Sequence, residues 1–237
     1  MIPTVSPSAT SWFFAMCCIL ACGRPSMAPQ SPLDFVVPPD RFSKVPQEDW
    51  GEIQRLQAEL AAKRQKTEQA RLAITDGARR TEIAKQKAKQ SEQRYSEADT
   101  QKRAAAGAQQ RNSATKNAYL ALMAKKAAEE RLRYVEARVK ELDLRHNWAR
   151  SEELAHEARI EEAKARLLKK HRLESPNVIQ VNFQVQRAQR SRAAQRARYL
   201  ADKQMEAAQQ RKNVWKQSEQ RAQAANATSG IKLDPPQ

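Results

Sequence analysis

The sequence predicts an all-α protein: an elongated antiparallel helical bundle or coiled coil that follows a signal peptide and a proline-rich tether. Proline breaks helix interiors, and none occurs between Pro46 and Pro176 or between Pro176 and Pro235. These two stretches are dominated by Ala, Gln, Glu, Lys and Arg, which are all good helix formers. Their apolar residues recur at alternating spacings of three and four, which is the pattern of a coiled-coil seam.

The predicted seam is regular but poor in large side chains. Its three runs are Ile53, Leu56, Leu60, Ala70 and Ile74 with Lys63 and Thr67 between them; Leu132, Val135, Val139 and Leu142; and Ala193, Ala197, Leu200, Ala207 and Val214 with Gln204 and Arg211 between them. Many of these positions hold Ala or Gln, and aromatic residues are 5% of the chain. Single helices of this kind are marginal, so the sequence predicts helices that pair along their length.

Pairs of opposite charge at a spacing of four are expected on the exposed faces. Glutamate precedes the basic residue in each pair, which is the favourable order on a helix. The pairs are Glu129 with Arg133, Glu136 with Lys140, Glu141 with Arg145, and Glu162 with Arg166. Together they favour long solvated helices that lack a deep core.

Two turns divide the domain that spans 48–226 into helices near 49–106, 113–174 and 176–226, followed by a disordered tail over 227–237. At the first turn Gly107 ends one helix and Ser113 caps the next. At the second, Ser175 is the cap and Pro176 the first helical residue. Gly77 is a weaker third candidate for a turn. Three such helices can form an antiparallel bundle, in which a 60-residue helix is about 90 Å long.

The stretch "NVIQVNFQVQ" allows two interpretations. Ile179, Val181, Phe183 and Val185 alternate strictly with polar residues, which is typical of a strand. In a helix, Ile179 and Phe183 would extend the last seam toward its start. We expect a helix, because a lone strand in a helical chain would leave its edge unpaired.

An apolar run from Trp12 to Cys22 is too short to span a bilayer, which takes roughly 20 residues. Its position predicts a signal peptide over 1–21. The six prolines that follow predict an extended tether over 22–47. The alternative is an irregular cap packed on the helices, with Phe35 and Phe42 as its buried contacts.

Ile19, Leu20, Ala21 and Cys22 resemble the lipobox of bacterial lipoproteins. The resemblance implies cleavage before Cys22 and attachment of lipid, including palmitate, to the Cys22 thiol. Several acyl chains anchor a protein stably, and Gly23 after the cysteine implies the outer membrane, with the protein facing the periplasm. The alternative is a chance apolar patch in a cytoplasmic protein.

The residues that catalysis or metal binding would need are scarce. No cysteine follows Cys22, which excludes disulfides and thiolate zinc sites after cleavage. His146, His156 and His171 lack the one-turn spacing of paired ligands on a helix. Glu153 and His156 form a single Glu-x-x-His, which we interpret as a solvated helix face because a di-iron bundle needs two copies. We therefore expect no enzyme, no metal site and no cofactor.

Positive charge is the most informative remaining feature. The chain carries a formal net charge of +16, and residues 177–226 hold 10 basic and 3 acidic side chains. A predicted surface for polyanions or an acidic partner consists of Arg187, Arg190, Arg192, Arg196 and Arg198. The alternative is that the excess of arginine reflects only a genome whose base composition favours Arg and Ala.

The sequence therefore predicts a lipid-anchored, rod-like structural or adaptor protein of the bacterial envelope. Its partners would be an acidic envelope protein, peptidoglycan or lipid phosphates, and a homo-oligomer is possible. The alternative is a soluble basic coiled-coil protein that binds nucleic acid.

Overall fold

A computed structural model describes residues 33–174 and 180–229 of the chain. A short helix α1 (Pro39–Phe42) and a 3₁₀ turn (Gln47–Trp50) precede three long helices: α2 (Gly51–Ala104), α3 (Ala108–Lys170) and α4 (Gln180–Ser229). Within these residues there is no strand, and the predicted all-α helical bundle is confirmed. None of the described helices is both long and apolar enough to cross a membrane.

The predicted seam of α2 is confirmed. Ile53, Leu56 and Leu60 are buried, and the intervening seam positions as far as Ile74 are half-buried. The same spacing continues through Gly77, which is interior to α2 and not a turn. A Cβ atom at Gly77 would lie 3.1 Å from Val139 Cγ2 and 3.2 Å from a methyl carbon of Leu142. Gly77 thus permits a close approach of α2 to α3.

The central helix is α3. Lys125 bonds to Glu92 of α2 near one end, and His156 bonds to the Leu56 carbonyl near the other, so α2 is antiparallel to α3. α4 is also antiparallel to α3, because it begins near Glu162 and later reaches Tyr134. Within the described residues, α2 and α4 each pack along α3 but have almost no direct backbone contact with each other.

The register predicted for α4 is only partly correct. Ala197 is buried and Gln204 is half-buried, but Leu200, Ala207, Arg211 and Val214 are exposed. Leu200 and Val214 are 43% and 45% exposed, whereas the buried face consists of Phe183, Gln186, Ala194, Ala197, Ala201 and Ala208. This face steps by four residues twice in succession, from Gln186 to the half-buried Arg190 and on to Ala194. A strict heptad alternates steps of three and four residues. A second successive step of four therefore places the next buried residue one position later than the heptad does. Alanines occupy both frames, so the sequence pattern could not reveal the step.

The turns differ from their predictions in position. α3 begins directly after Gly107, whose carbonyl accepts the Arg111 amide at 2.9 Å, so Ser113 lies inside the helix and is not its cap. α3 ends where Arg172 adopts a left-handed φ of 56°. The Leu173 amide then donates to Leu168 at 2.8 Å and the Arg172 amide to Lys169 at 3.1 Å, which together form a Schellman motif.

Ser175 and Pro176 lie outside the described residues, as do 177–179 of the segment that allowed a strand. From Gln180 onward that segment is helical. The helix also includes 227–229, the first residues of the predicted disordered tail, and the remainder of the tail is outside the described part.

Residues 33–50 form what we call the N-terminal cap. The Phe35 amide donates to Gln186 Oε1 at 2.8 Å, Gln186 Nε2 donates back to the Phe35 carbonyl at 2.9 Å, and the Val37 amide donates to Glu161 Oε2 at 2.7 Å. Val37, Phe42 and Val45 join the core cluster with residues of all three long helices. Residues 33–47, the described part of the segment predicted as a tether, therefore do not form an extended tether. They form the alternative, a cap packed on the helices. Phe42 is buried as that alternative required, whereas Phe35 stays 36% exposed.

Candidate partner surfaces

The five arginines predicted as one surface lie on different sides of α4. Arg187 bonds to the buried Glu162 of α3 at 2.8 Å. Arg190 is half-buried on the face toward α3. Arg198 lies 3.7 Å from Asp202 and above the Trp148 ring. Arg192 and Arg196 are exposed. Of the exposed arginines, Arg192 and Arg196 therefore remain without a described carboxylate within 4.0 Å.

Most of the positive charge of α4 is not neutralised within the described residues. Among its ten basic side chains, carboxylates lie within 4.0 Å of Arg187 and Arg198. No described carboxylate lies that close to Arg192, Arg196, Lys203, Arg211, Lys216 or Arg221, all of which are exposed. We call Arg192 and Arg196 the outer arginines.

A second surface, which we call the α2–α4 groove, was not predicted from the sequence. It is a cavity of about 780 Å³ between α2 and α4, and α3 forms its floor. The apolar floor consists of Val135, Val139 and Leu142. The walls contain small side chains, those of Ala73, Ala84 and Ala208. Because α2 and α4 do not close over α3, the groove is open to solvent.

The charged lining of the α2–α4 groove includes two carboxylates, Asp76 and Glu141. Asp76 pairs with Arg80 of its own helix at 2.7 Å, and Glu141 forms a second cluster. This side chain is 1% exposed and contacts the guanidinium groups of Arg138 and Arg145. Arg145 Nε lies 2.8 Å from Glu141 Oε1, yet that oxygen has no well-directed hydrogen bond, so charge attraction dominates this contact. Two arginines on one carboxylate leave net positive charge beside the floor.

One side of the groove is built on an aromatic stack. Tyr134 and Trp215 stack with ring centroids 5.4 Å apart and planes at 8°. The Arg131 guanidinium lies 5.7 Å from the Trp215 ring centre, within cation–π range. Arg131 and the nearby Lys212 have no carboxylate within 4.0 Å in the described part of the chain. Both cations are available to an anionic ligand in the groove.

The single Glu-x-x-His is not the solvated face that we expected. Glu153 and His156 are each 5% exposed. Glu153 pairs with Arg64 and Arg150, and His156 Nε2 lies 2.8 Å from the Leu56 carbonyl, to which it donates as the N–H tautomer. Both residues therefore join α2 to α3. No group of three potential metal ligands occurs among residues 33–174 and 180–229.

Three of the four predicted ion pairs do not occur among the described residues. Glu129 lies near Lys125 instead, and Arg133 contacts Glu130, all within α3, whereas Glu136 and Lys140 form no ion pair in that part of the chain. Glu162 bonds to Arg187 of α4, and Arg166 bonds to Glu52 of α2 at 3.0 Å. The pair of Glu141 and Arg145 does form, but its carboxylate is buried. The bridges of Glu162 and Arg166 could not be predicted from the spacing along one helix, because their partners come from other helices.

Comparisons of the chain with protein-family models, curated proteins and solved structures found no match. The predicted lipidation site, Cys22, lies outside the described residues. One sequence signal could have indicated the groove: Arg131, Arg138 and Arg145 recur at a spacing of seven, which places them on one side of α3, and the first two line the groove.

Proposed function

We propose that the protein is a lipid-anchored structural or adaptor protein of the bacterial cell envelope that binds an acidic partner. The lipobox-like Ile19-Leu20-Ala21-Cys22 supports a signal peptide and palmitate attachment at Cys22. The resemblance to bacterial lipoproteins supports a location at the outer membrane, with the helical domain facing the periplasm. The role is non-catalytic, since long paired helices supply contact surface and spacing.

The observation that carries the binding part of this proposal is the exposed cationic surface of α4. Balanced charges would serve solubility equally well, and excess charge of one sign opposes the compact state by self-repulsion. The outer arginines and four further exposed cations of α4 have no described carboxylate within 4.0 Å. Arginine presents a forked set of donors that fits carboxylate and phosphate oxygens. An acidic protein, peptidoglycan carboxylates or lipid phosphates would neutralise this surface.

Anchoring is tested by cell fractionation with palmitate labelling of the natural chain and of Cys22→Ala. The expected result is labelled natural protein in the membrane fraction and an unlabelled variant. The lipoprotein proposal is overturned if the label persists in the variant. It is also overturned if the natural protein is found wholly in the cytoplasm.

Binding is tested with Arg192→Gln/Arg196→Gln against a matched control, Lys66→Gln/Arg94→Gln, which removes two exposed charges from α2. Cosedimentation with anionic vesicles and with cell-wall sacculi should weaken in the α4 variant and depend less steeply on salt. Equal binding by both variants contradicts the proposal that the exposed cations of α4 form the binding surface. A loss confined to DNA binding favours the alternative, a soluble basic coiled-coil protein that binds nucleic acid.

A further inference from the structure

The α2–α4 groove has the geometry of a vacant corner in a four-helix bundle. Such bundles place neighbouring helices in close contact and diagonal helices farther apart. α2 and α4 are both antiparallel to α3 and pack on it, but they scarcely touch each other within the described residues. They therefore correspond to a diagonal pair, and the groove corresponds to the position of a fourth helix.

The size of the groove suits a few turns of helix. Its lining on α2 extends from Ala73 to Ala84, which corresponds to about 16 Å at 1.5 Å per residue, or about three turns. A helix about 10 Å across occupies roughly 400 Å³ per turn. The 780 Å³ of the groove therefore corresponds to the volume of about two turns.

The groove is also chemically suited to an amphipathic occupant. Its floor is apolar, and on its two walls Ile83 and Met205 are 43% and 39% exposed. An apolar helix face would cover these side chains. Arg131 and Lys212 lie beside the apolar surface and face no described carboxylate within 4.0 Å. Carboxylates flanking an apolar stripe would complement this arrangement.

We infer that the α2–α4 groove binds an acidic amphipathic helix of a partner protein and completes a four-helix bundle with it. The inference rests on the proposed function, because it assigns a binding site to the acidic partner. A second copy of the chain is disfavoured as the occupant, since two molecules of charge +16 repel each other. The helix would place its apolar residues on Val139 and Leu142, and its carboxylates toward Arg131 and Lys212.

The probe for this inference is a synthetic helical peptide of about 20 residues, long enough for a stable helix. It carries leucine at the seam positions and glutamate and alanine elsewhere, and the control peptide has lysine in place of each glutamate. Fluorescence anisotropy should show binding of the glutamate peptide to the full chain and none of the lysine peptide.

The charge test compares Arg131→Gln/Lys212→Gln with Lys126→Gln/Lys140→Gln, whose lysines are exposed on α3 outside the groove. Each variant loses two charges, so non-specific attraction falls equally. The groove variant should bind the glutamate peptide about tenfold more weakly, because it loses two partly buried ion pairs. The control should bind nearly as the natural chain does, and circular dichroism checks that each variant remains helical.

A second pair of variants separates charge from apolar contact at one position. Ile83→Glu and Ile83→Lys remove the same apolar side chain from the wall of the groove. The glutamate variant should bind the acidic peptide more weakly than the lysine variant, because only glutamate repels it. Equal affinities for these two variants would overturn the inference, as would equal losses in the two charge variants.

Three other outcomes also overturn it, and they separate it from the proposed function. Loss of peptide binding only in Arg192→Gln/Arg196→Gln moves the acidic partner to the outer surface of α4 and keeps the proposed function. Self-association of the chain that Ile83→Glu abolishes makes a second copy the occupant. Absence of any peptide binding eliminates the groove as a helix site, while the vesicle, sacculus and DNA experiments decide the proposed function independently.

Discussion

Glu141 is the most buried charged side chain among the described residues, at 1% exposure. A buried carboxylate is tolerated only with compensating partners, and here Arg138 and Arg145 supply them from the same helix. Both arginines are about four-tenths exposed, so water screens part of their attraction. The cluster therefore combines a desolvated anion with cations that can reorient toward solvent or toward a ligand.

Replacing Glu141 by Gln is expected to reduce the free energy of unfolding by about 2 kcal/mol, since it leaves two guanidinium groups without their carboxylate. Urea denaturation measures the change. The matched control is Glu136→Gln on the exposed side of α3, which should change stability by less than about 0.5 kcal/mol. Equal effects of the two substitutions would show that the Glu141 cluster adds no stability.

Asp49 gives a pH-dependent prediction. Hydrogen bonds from Lys170 and then from His171, at 2.6 and 2.7 Å, lower the pKa of Asp49 below its ordinary value of 3.8. A lowered folded pKa means that the stabilisation is complete above the unfolded value and is lost as the pH falls through the folded value. The difference in Tm between the natural chain and Asp49→Asn should be present in full near pH 5 and shrink as the pH falls below 3.8. A difference that persists unchanged at pH 2, about two units below that value, contradicts the ion-pair explanation.

At the level of the helices, the termini and crossings are decided by single residues. The end of α3 places Arg172 at a φ of 56°, where a side chain costs about 1 kcal/mol and glycine costs less. Proline and serine at 175–176 were the more visible signals in the sequence, but the helix ends before them. The Schellman motif could not be predicted, because arginine occupies the position at which glycine is usual.

Arg172→Gly is expected to raise the free energy of unfolding by up to about 1 kcal/mol, since it relieves the left-handed conformation. Lys169→Gly is the control: this exposed residue lies in the last turn of α3 with helical geometry, and glycine there should cost about 1 kcal/mol. Thermal unfolding followed by circular dichroism distinguishes the two signs. Destabilisation by both glycines would argue against strain at Arg172.

Gly77 determines how closely α2 approaches α3. Gly77→Val should reduce the free energy of unfolding by about 2 kcal/mol, because its Cβ alone would lie 3.1 Å from Val139 Cγ2 and the added methyl groups need more room. The control, Arg79→Val on the exposed face, carries only the helix-propensity cost of valine, below about 1 kcal/mol. Chemical denaturation measures the free energy of unfolding of both variants. Similar reductions in the two variants would mean that α2 and α3 can separate at little cost.

The sequence was informative wherever large apolar side chains fixed the helical period. The seam of α2 was predicted because isoleucine and leucine occur only in one frame over 53–60. The register of α4 was predicted only in part, because alanine at Ala193, Ala194, Ala197 and Ala201 fits either frame. The α2–α4 groove was missed for a different reason: it depends on the angle between two helices around a third, and single-helix periodicity carries no information about that angle.

At the scale of the whole domain, large buried side chains concentrate at one end. The core cluster combines Val37, Phe42 and Val45 of the N-terminal cap with α2, α3 and α4 residues near Leu56, Leu168 and Phe183. Toward the opposite end, α2 has no buried residue after Ala84, and α4 has none after Ala208 within its described range. There α3 buries Ala118 and Leu120, and its next buried residue is Glu141. Stability should therefore decline along the helices, away from the cap.

Hydrogen exchange followed by mass spectrometry should reveal this gradient. Amides near Leu56, Leu168 and Phe183 should exchange slowest, through global unfolding, whereas amides near Ala104 and Gln109 should exchange fast through local fraying. Phe42→Ala should lower the free energy of unfolding by about 3 kcal/mol and accelerate exchange near the cap. Exchange at the distal end should not change, because fraying there does not require the cap to open.

The matched control for this experiment is Tyr119→Ala at the distal end. Tyr119 is 51% exposed, so its truncation should change global stability by less than about 0.5 kcal/mol and leave the slow amides near the cap unaffected. Uniform protection along all three helices would contradict the gradient. Equal acceleration of near and distal amides by Phe42→Ala would mean that the helices unfold as one cooperative unit, in which the alanine-rich seam contributes as much as the cap.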